Sequence, residues 1–146
     1  MMVSLLFSLA AAEPAGLDAV QHTLSLRHPV PCEQLLAQTD TPVETLLHVV
    51  DHTTMPPWAP MRAAECLMEA HASEIQPRLD SWVTTPELKG LGRLTLGKLD
   101  HLPLAVAEAV GRKALTEGTE PERARRALVA SSRAELRALV PAEVAP

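Results

Sequence analysis

The sequence predicts an all-α protein, and three observations carry that prediction. Leu and Ala dominate, whereas Ile occurs once (Ile75), Phe once (Phe7) and Tyr not at all. Strands favour β-branched and aromatic side chains, while Ala and Leu lose little conformational freedom in a helix. Five stretches match the helix-start pattern Ser/Thr-x-x-Glu/Gln, at 41–44, 73–76, 84–87, 119–122 and 132–135. Between them, apolar residues recur at helical spacing and the connections are short.

Size and charge narrow the function classes. A chain of 146 residues can bury one sizeable core, and 47% hydrophobic with 21% charged residues is ordinary globular usage. Residues 1–80 hold three Lys or Arg against ten Asp or Glu, a net −7; residues 81–146 hold ten against eight, a net +2. An acidic chain with so few aromatics is a poor nucleic-acid partner, because phosphate must be neutralised and bases need stacking platforms. The run "PERARRALVASSRAELR" (121–137), with five Arg and two Glu, reads as the solvated face of a terminal helix.

Taken in order, "MMVSLLFSLAAAEPAG" opens with an apolar run from Val3 to Leu9, followed by Ala10-Ala11-Ala12, Glu13 and Pro14. The run is too short to span a bilayer, and the small residues fit a cleavage site, so residues 1–12 are expected to be a signal peptide. The single domain is then 13–146 and the location exported, periplasmic or secreted; if the N-terminus is not cleaved, the alternative is cytoplasmic. No transmembrane helix is expected in the mature chain.

Helices are expected at 17–26 and 31–38, then in the segment from Thr41, where Val43, Leu46, Leu47 and Val50 share one face and Glu44, His48, Asp51 and His52 the other. "MPPWAP" (55–60) interrupts, since consecutive prolines cannot sit inside a helix. Further helices follow at 60–71, 73–83, 86–99, 103–117, 119–131 and 132–140. The three glycines of "LKGLGRLTLGKL" weaken the helix at 86–99, and its leucine spacing does not recur as a leucine-rich repeat would. Cys32 and Cys66 lie on apolar stripes, which suits two small buried thiols; in an exported chain the pair becomes a disulfide candidate.

Three stretches resemble one another: "RAAECL" (62–67), "KGLGRL" (89–94) and "RARRAL" (123–128). Each sets a basic residue beside a small one, with Leu five positions on, and each follows a proline, Pro60, Pro86 or Pro121. With "PMRAAECL" the pattern resembles the second helix of HEAT or armadillo-type repeats, over roughly residues 41–131. The resemblance implies a short α-solenoid of antiparallel hairpins; an irregular helical bundle is the alternative. It also implies that the exposed face of the stack binds another protein, and that no shared catalytic residues exist to carry over.

Candidate sites are few. His48 and His52 stand at i and i+4, a spacing that can share a divalent metal, with His71 or Asp80 as the only third ligand worth naming. The Glu of a zinc-protease helix is absent, and the plainer reading is a solvated helix face. No GxSxG, GxGxxG or GxxxxGK occurs, so no nucleophile elbow or phosphate cradle is expected, and no cofactor. Trp82 reads as a packing anchor. Trp58, in the proline-rich turn, is an interaction-surface candidate together with His48, Asp51 and His52. The function expected is a non-enzymatic exported scaffold for another protein; the alternative is a divalent-metal-binding helical protein using His48 and His52.

Overall fold

A computed structural model describes residues 12–142, and the proposed signal peptide therefore lies almost wholly outside the described residues. Among them the chain is all-helical and has no strand. The α-helices are α1 (Leu17–Ser25), α2 (Cys32–Leu36), α3 (Pro42–His52), α4 (Trp58–His71), α5 (Gln76–Thr84), α6 (Lys89–Gly97), α7 (Leu104–Glu117), α8 (Pro121–Val129) and α9 (Ala134–Arg137). Short 3-10 turns at Pro86–Leu88 and Leu99–His101 flank α6.

Several helices are shorter than expected, and two boundaries are the most instructive. Helix α4 begins at Trp58, inside the proline-rich stretch, with Pro60 in its first turn. The first-turn N–H groups have no intrahelical acceptor, so a proline there removes nothing. The terminal helix contracts from 132–140 to Ala134–Arg137.

The expected capping boxes do not form, although helices begin close to them. Thr41 precedes α3, but its hydroxyl lies 3.3 Å from that of Thr45 and makes no cap. Ser73 sits in a turn whose amides at Glu74 and Ile75 bond to the His71 carbonyl, and α5 starts only at Gln76. The Thr84 hydroxyl donates back to the Asp80 carbonyl (2.9 Å). Thr119 uses its amide to reach the Val83 carbonyl (3.1 Å), pinning the α7–α8 turn to α5. Ser132 is drawn to Asp100. Thr41 and Thr84 spend their hydroxyls on partners four residues away, and Ser132 spends its own on a distant carboxylate, so these short polar side chains bond elsewhere than to a cap.

Packing is sequential. Helix α3 lies on α4, α5 on α6 and α7 on α8; α4 also meets α6, α6 meets α8, and α5 meets α7. Helix α1 covers α3 and α4, and α9 closes the far end on α7 and α8. One continuous core runs through the stack, from Leu17 and Val20 through Leu46, Leu67 and Leu79 to Val110, Leu128 and Leu136. Ala59, Ala63 and Ala64 on α4 are buried and carry little bulk, so α3 can approach closely. Trp82 is 0% exposed at the centre, as a packing anchor should be. Beside it, a Cβ on Gly92 would stand 2.5 Å from the Trp82 carbonyl oxygen, so only glycine lets α6 cross α5 at this distance.

Candidate functional site

The side chains singled out in the sequence fall in separate places. His48 and His52 lie on α3 with ring centroids 4.5 Å apart, tilted by 46°. Together with Asp51, Glu44 and Glu13 they line a groove of about 490 Å³. Asp51 is committed to an ion pair with Arg78 of α5. His71 is held by Glu74, with Nδ1 2.8 Å from the carboxylate. No three His, Cys, Asp or Glu side chains gather in metal-binding geometry among the described residues, so neither His71 nor Asp80 completes a site with the histidine pair.

Trp58 is not in a free turn. It opens α4, stays 37% exposed, and its indole Nε1 donates to the Leu24 carbonyl at 3.0 Å. Arg62 lies 5.6 Å over the ring and donates to the carbonyls of Leu26 (2.6 Å) and Arg27 (3.1 Å). These bonds satisfy chain-end carbonyls of α1 and fasten it to α4. Nearby, a disulfide joins Cys32 on α2 to Cys66 on α4, with Cα atoms 5.3 Å apart.

Charged pairs that close only in three dimensions hold the other end. Glu120, just before α8, accepts from Arg93 of α6 through Nε (3.0 and 2.9 Å) and Nη2 (2.5 Å), and from Arg123 Nε (2.8 Å). The hydrogen bonds from Arg93 draw its carboxyl down to about 2. Asp100 accepts from the Ser131 hydroxyl and from the amide (3.0 Å) and hydroxyl (3.1 Å) of Ser132, and these donors lower its pKa. Arg133 Nη1 donates to the Leu102 carbonyl at 2.6 Å. Asp80 behaves oppositely. Burial raises its pKa, Lys113 lowers it and Glu117 raises it, and among the described residues its Oδ1 has no hydrogen-bond partner; nor does Trp82 Nε1.

Helices α4, α6 and α8 follow one another along one side; one groove opens between α4 and the 3-10 turn that follows α6, and another between α6 and α8. The first, about 410 Å³, is lined by Glu65, Met68, Glu69, Lys98, His101 and Leu102. The second, about 490 Å³, is lined by Arg93, Leu96, Gly97, Arg123, Arg126 and Ala127. No single stretch of sequence marks this side, because its residues come from helices about thirty positions apart. The one available signal was the repeated basic–small–Leu pattern, which marks all three helices. No protein-family model, curated protein or solved structure matches the chain. Among the described residues, no helix is long and apolar enough to cross a membrane.

Proposed function

We propose that the chain is a non-enzymatic, exported helical-repeat protein, a short HEAT-like stack of antiparallel hairpins that holds another protein on the side formed by α4, α6 and α8. The observation that carries this reading is the packing order. Helices pack in pairs, α3 on α4, α5 on α6 and α7 on α8, and the second helices then meet in turn, α4 with α6 and α6 with α8, with a groove beside each of these contacts. A stack of this kind buries one core and leaves an elongated face for partners. Export draws its support from the Ala10-Ala11-Ala12 pattern and from the Cys32–Cys66 bridge, which suits an oxidising compartment.

Site-specific photo-crosslinking in living cells tests the reading. A photoreactive residue at Glu69, Gly97 or Arg126 should yield a discrete protein adduct, while the same residue at Arg112, on α7, should not. Adducts formed only from His52 or Glu44 would move the binding surface to α3. Adducts from no position, or turnover of a small substrate, would contradict the proposal. The metal alternative rests on the closeness of the His48 and His52 rings. Zinc retained in stoichiometric amount through dialysis, and lost in His48→Ala, would replace our reading.

A further inference from the structure

The two grooves differ in sign. Glu65 and Glu69 face the first, with Lys98 and His101 opposite. Arg93, Arg123 and Arg126 wall the second, over a floor of Leu96, Gly97 and Ala127. Arg93 and Arg123 share the single carboxylate of Glu120. The Arg126 side chain makes no ion pair with any described residue. Three guanidiniums against one carboxylate leave this groove at +2, on a chain whose net charge is −5. An ion network serving only the fold would need no such local excess.

The floor adds to this. Gly92, on the same helix, is glycine because a Cβ would strike the Trp82 carbonyl. Gly97 has no such reason. Its φ is not positive, and a Cβ there would meet nothing within 4 Å. Gly97 is the last residue of α6, and the open space around it would admit a side chain. Neither packing nor backbone conformation accounts for the glycine, whereas close approach of another chain to a bare backbone would. Gly90, seven residues earlier and therefore on the same side of α6, is equally open.

Resting on the proposed protein-binding role of this side, we propose that the groove between α6 and α8 holds an acidic segment of the partner protein. Its carboxylates would pair with Arg126 and with the guanidinium edges of Arg93 and Arg123 that Glu120 leaves open. Its backbone would lie against Gly97. Guanidinium suits this task because its fixed fork binds carboxylates in a bidentate manner and stays charged at any working pH. A nucleic acid fits less well, since three arginines beside Glu120 neutralise little phosphate.

The test is fluorescence anisotropy of a labelled oligo-glutamate peptide titrated with the oxidised full chain at low salt, with an oligo-dT strand in parallel. The peptide should bind saturably and weaken as salt rises. Arg126→Glu should reduce affinity about tenfold or more, as expected for losing one charge-assisted pair and placing a like charge in the groove. Gly97→Leu should also reduce it, while melting no lower than the parent, so that loss of fold is not the cause. Arg112→Gln, on α7 and outside the groove, should leave it unchanged. Failure to bind the peptide, binding insensitive to both groove variants, or tighter binding of oligo-dT would overturn the proposal. A dimer in sedimentation that dissociates in Arg126→Glu would overturn it too, by making a second copy the occupant. If the peptide fails while adducts still form from Glu69, the acidic-segment proposal falls and the docking side stands; if no position gives adducts, both fall.

Discussion

The two ends of the stack are fastened by different chemistry. At the N-terminal end, α1 and α2 are tied to α4 by the Cys32–Cys66 bridge and by donors to main-chain carbonyls, Trp58 to Leu24 and Arg62 to Leu26 and Arg27. At the C-terminal end the ties run through carboxylates: Glu120 joins α6 to α8, and Asp100 holds the turn before α9. The first kind responds to reductant and is indifferent to acid. The second responds to acid and, where exposed, to salt. A chain whose helices meet only near neighbours can therefore have ends that loosen under different conditions.

The largest effect expected is on the N-terminal ties. The bridge closes a loop across a sequence separation of 34, for which the chain-entropy account gives about 3–4 kcal/mol. Cys32→Ser with Cys66→Ser, or reduction of the native chain, should lower the melting temperature by many degrees, read by circular dichroism. If the melt does not move, the N-terminal fastening does not depend on the bridge.

Next is the steric contrast within α6. Gly92→Ala should destabilise clearly, by about 1–3 kcal/mol, because the new Cβ meets main chain and not a flexible side-chain end. Gly97→Ala, at the last position of α6 with open space around it, should stabilise slightly. Urea titrations that gave the two variants the same sign would refute the reading of α6.

At the C-terminal end, pH sets the effect. The Glu120 carboxyl lies at about 2 in the fold, below its ordinary 4.5. Its contribution is complete above 4.5 and disappears as pH falls towards 2, because the unfolded chain takes up the proton first. Asp100, also lowered, acts with the same sign. Glu120→Gln should lower the melting temperature at neutral pH and flatten the acid limb of stability against pH. An unchanged acid limb would mean that other carboxylates carry it.

The smallest effect has the opposite direction. Burial raises the Asp80 pKa above its usual 3.8, so its charge opposes folding once pH passes that range. Asp80→Asn should raise the melting temperature slightly at neutral pH and leave it unchanged well below 3.8. A fall at neutral pH would show that attraction to Lys113 outweighs desolvation.

Much of the helical layout was legible in the sequence, and the reason is local. Val43, Leu46, Leu47 and Val50 mark one face of a helix whatever packs on it, and the prolines punctuate the chain regardless of partners. The hydroxyls at 41, 73, 119 and 132 stand close to real helix starts, but none makes a cap: Thr45 engages that of Thr41, Asp100 that of Ser132, and Thr119 is tied to Val83 through its amide. The histidine pair was legible as a spacing; its want of a third ligand was not, since that depends on where His71 and Asp80 are carried. The Arg93–Glu120 and Asp100–Ser131 contacts span separations of 27 and 31, and nothing in either local sequence announces the other. The glycines of α6 look alike in sequence, yet only the packing distinguishes Gly92, which the fold requires, from Gly97, which it does not.

The most direct test of a stack with separately fastened ends is hydrogen exchange followed by mass spectrometry, on the full chain, with and without reductant at neutral pH. Reduction should strip protection from α1 and α2 and leave α6 to α9 as slow as before. Lowering the pH with the bridge intact should reverse the pattern, loosening α8 and α9 first. Uniform loss of protection across all helices under both conditions would contradict it, and would mean that the chain opens as one cooperative bundle.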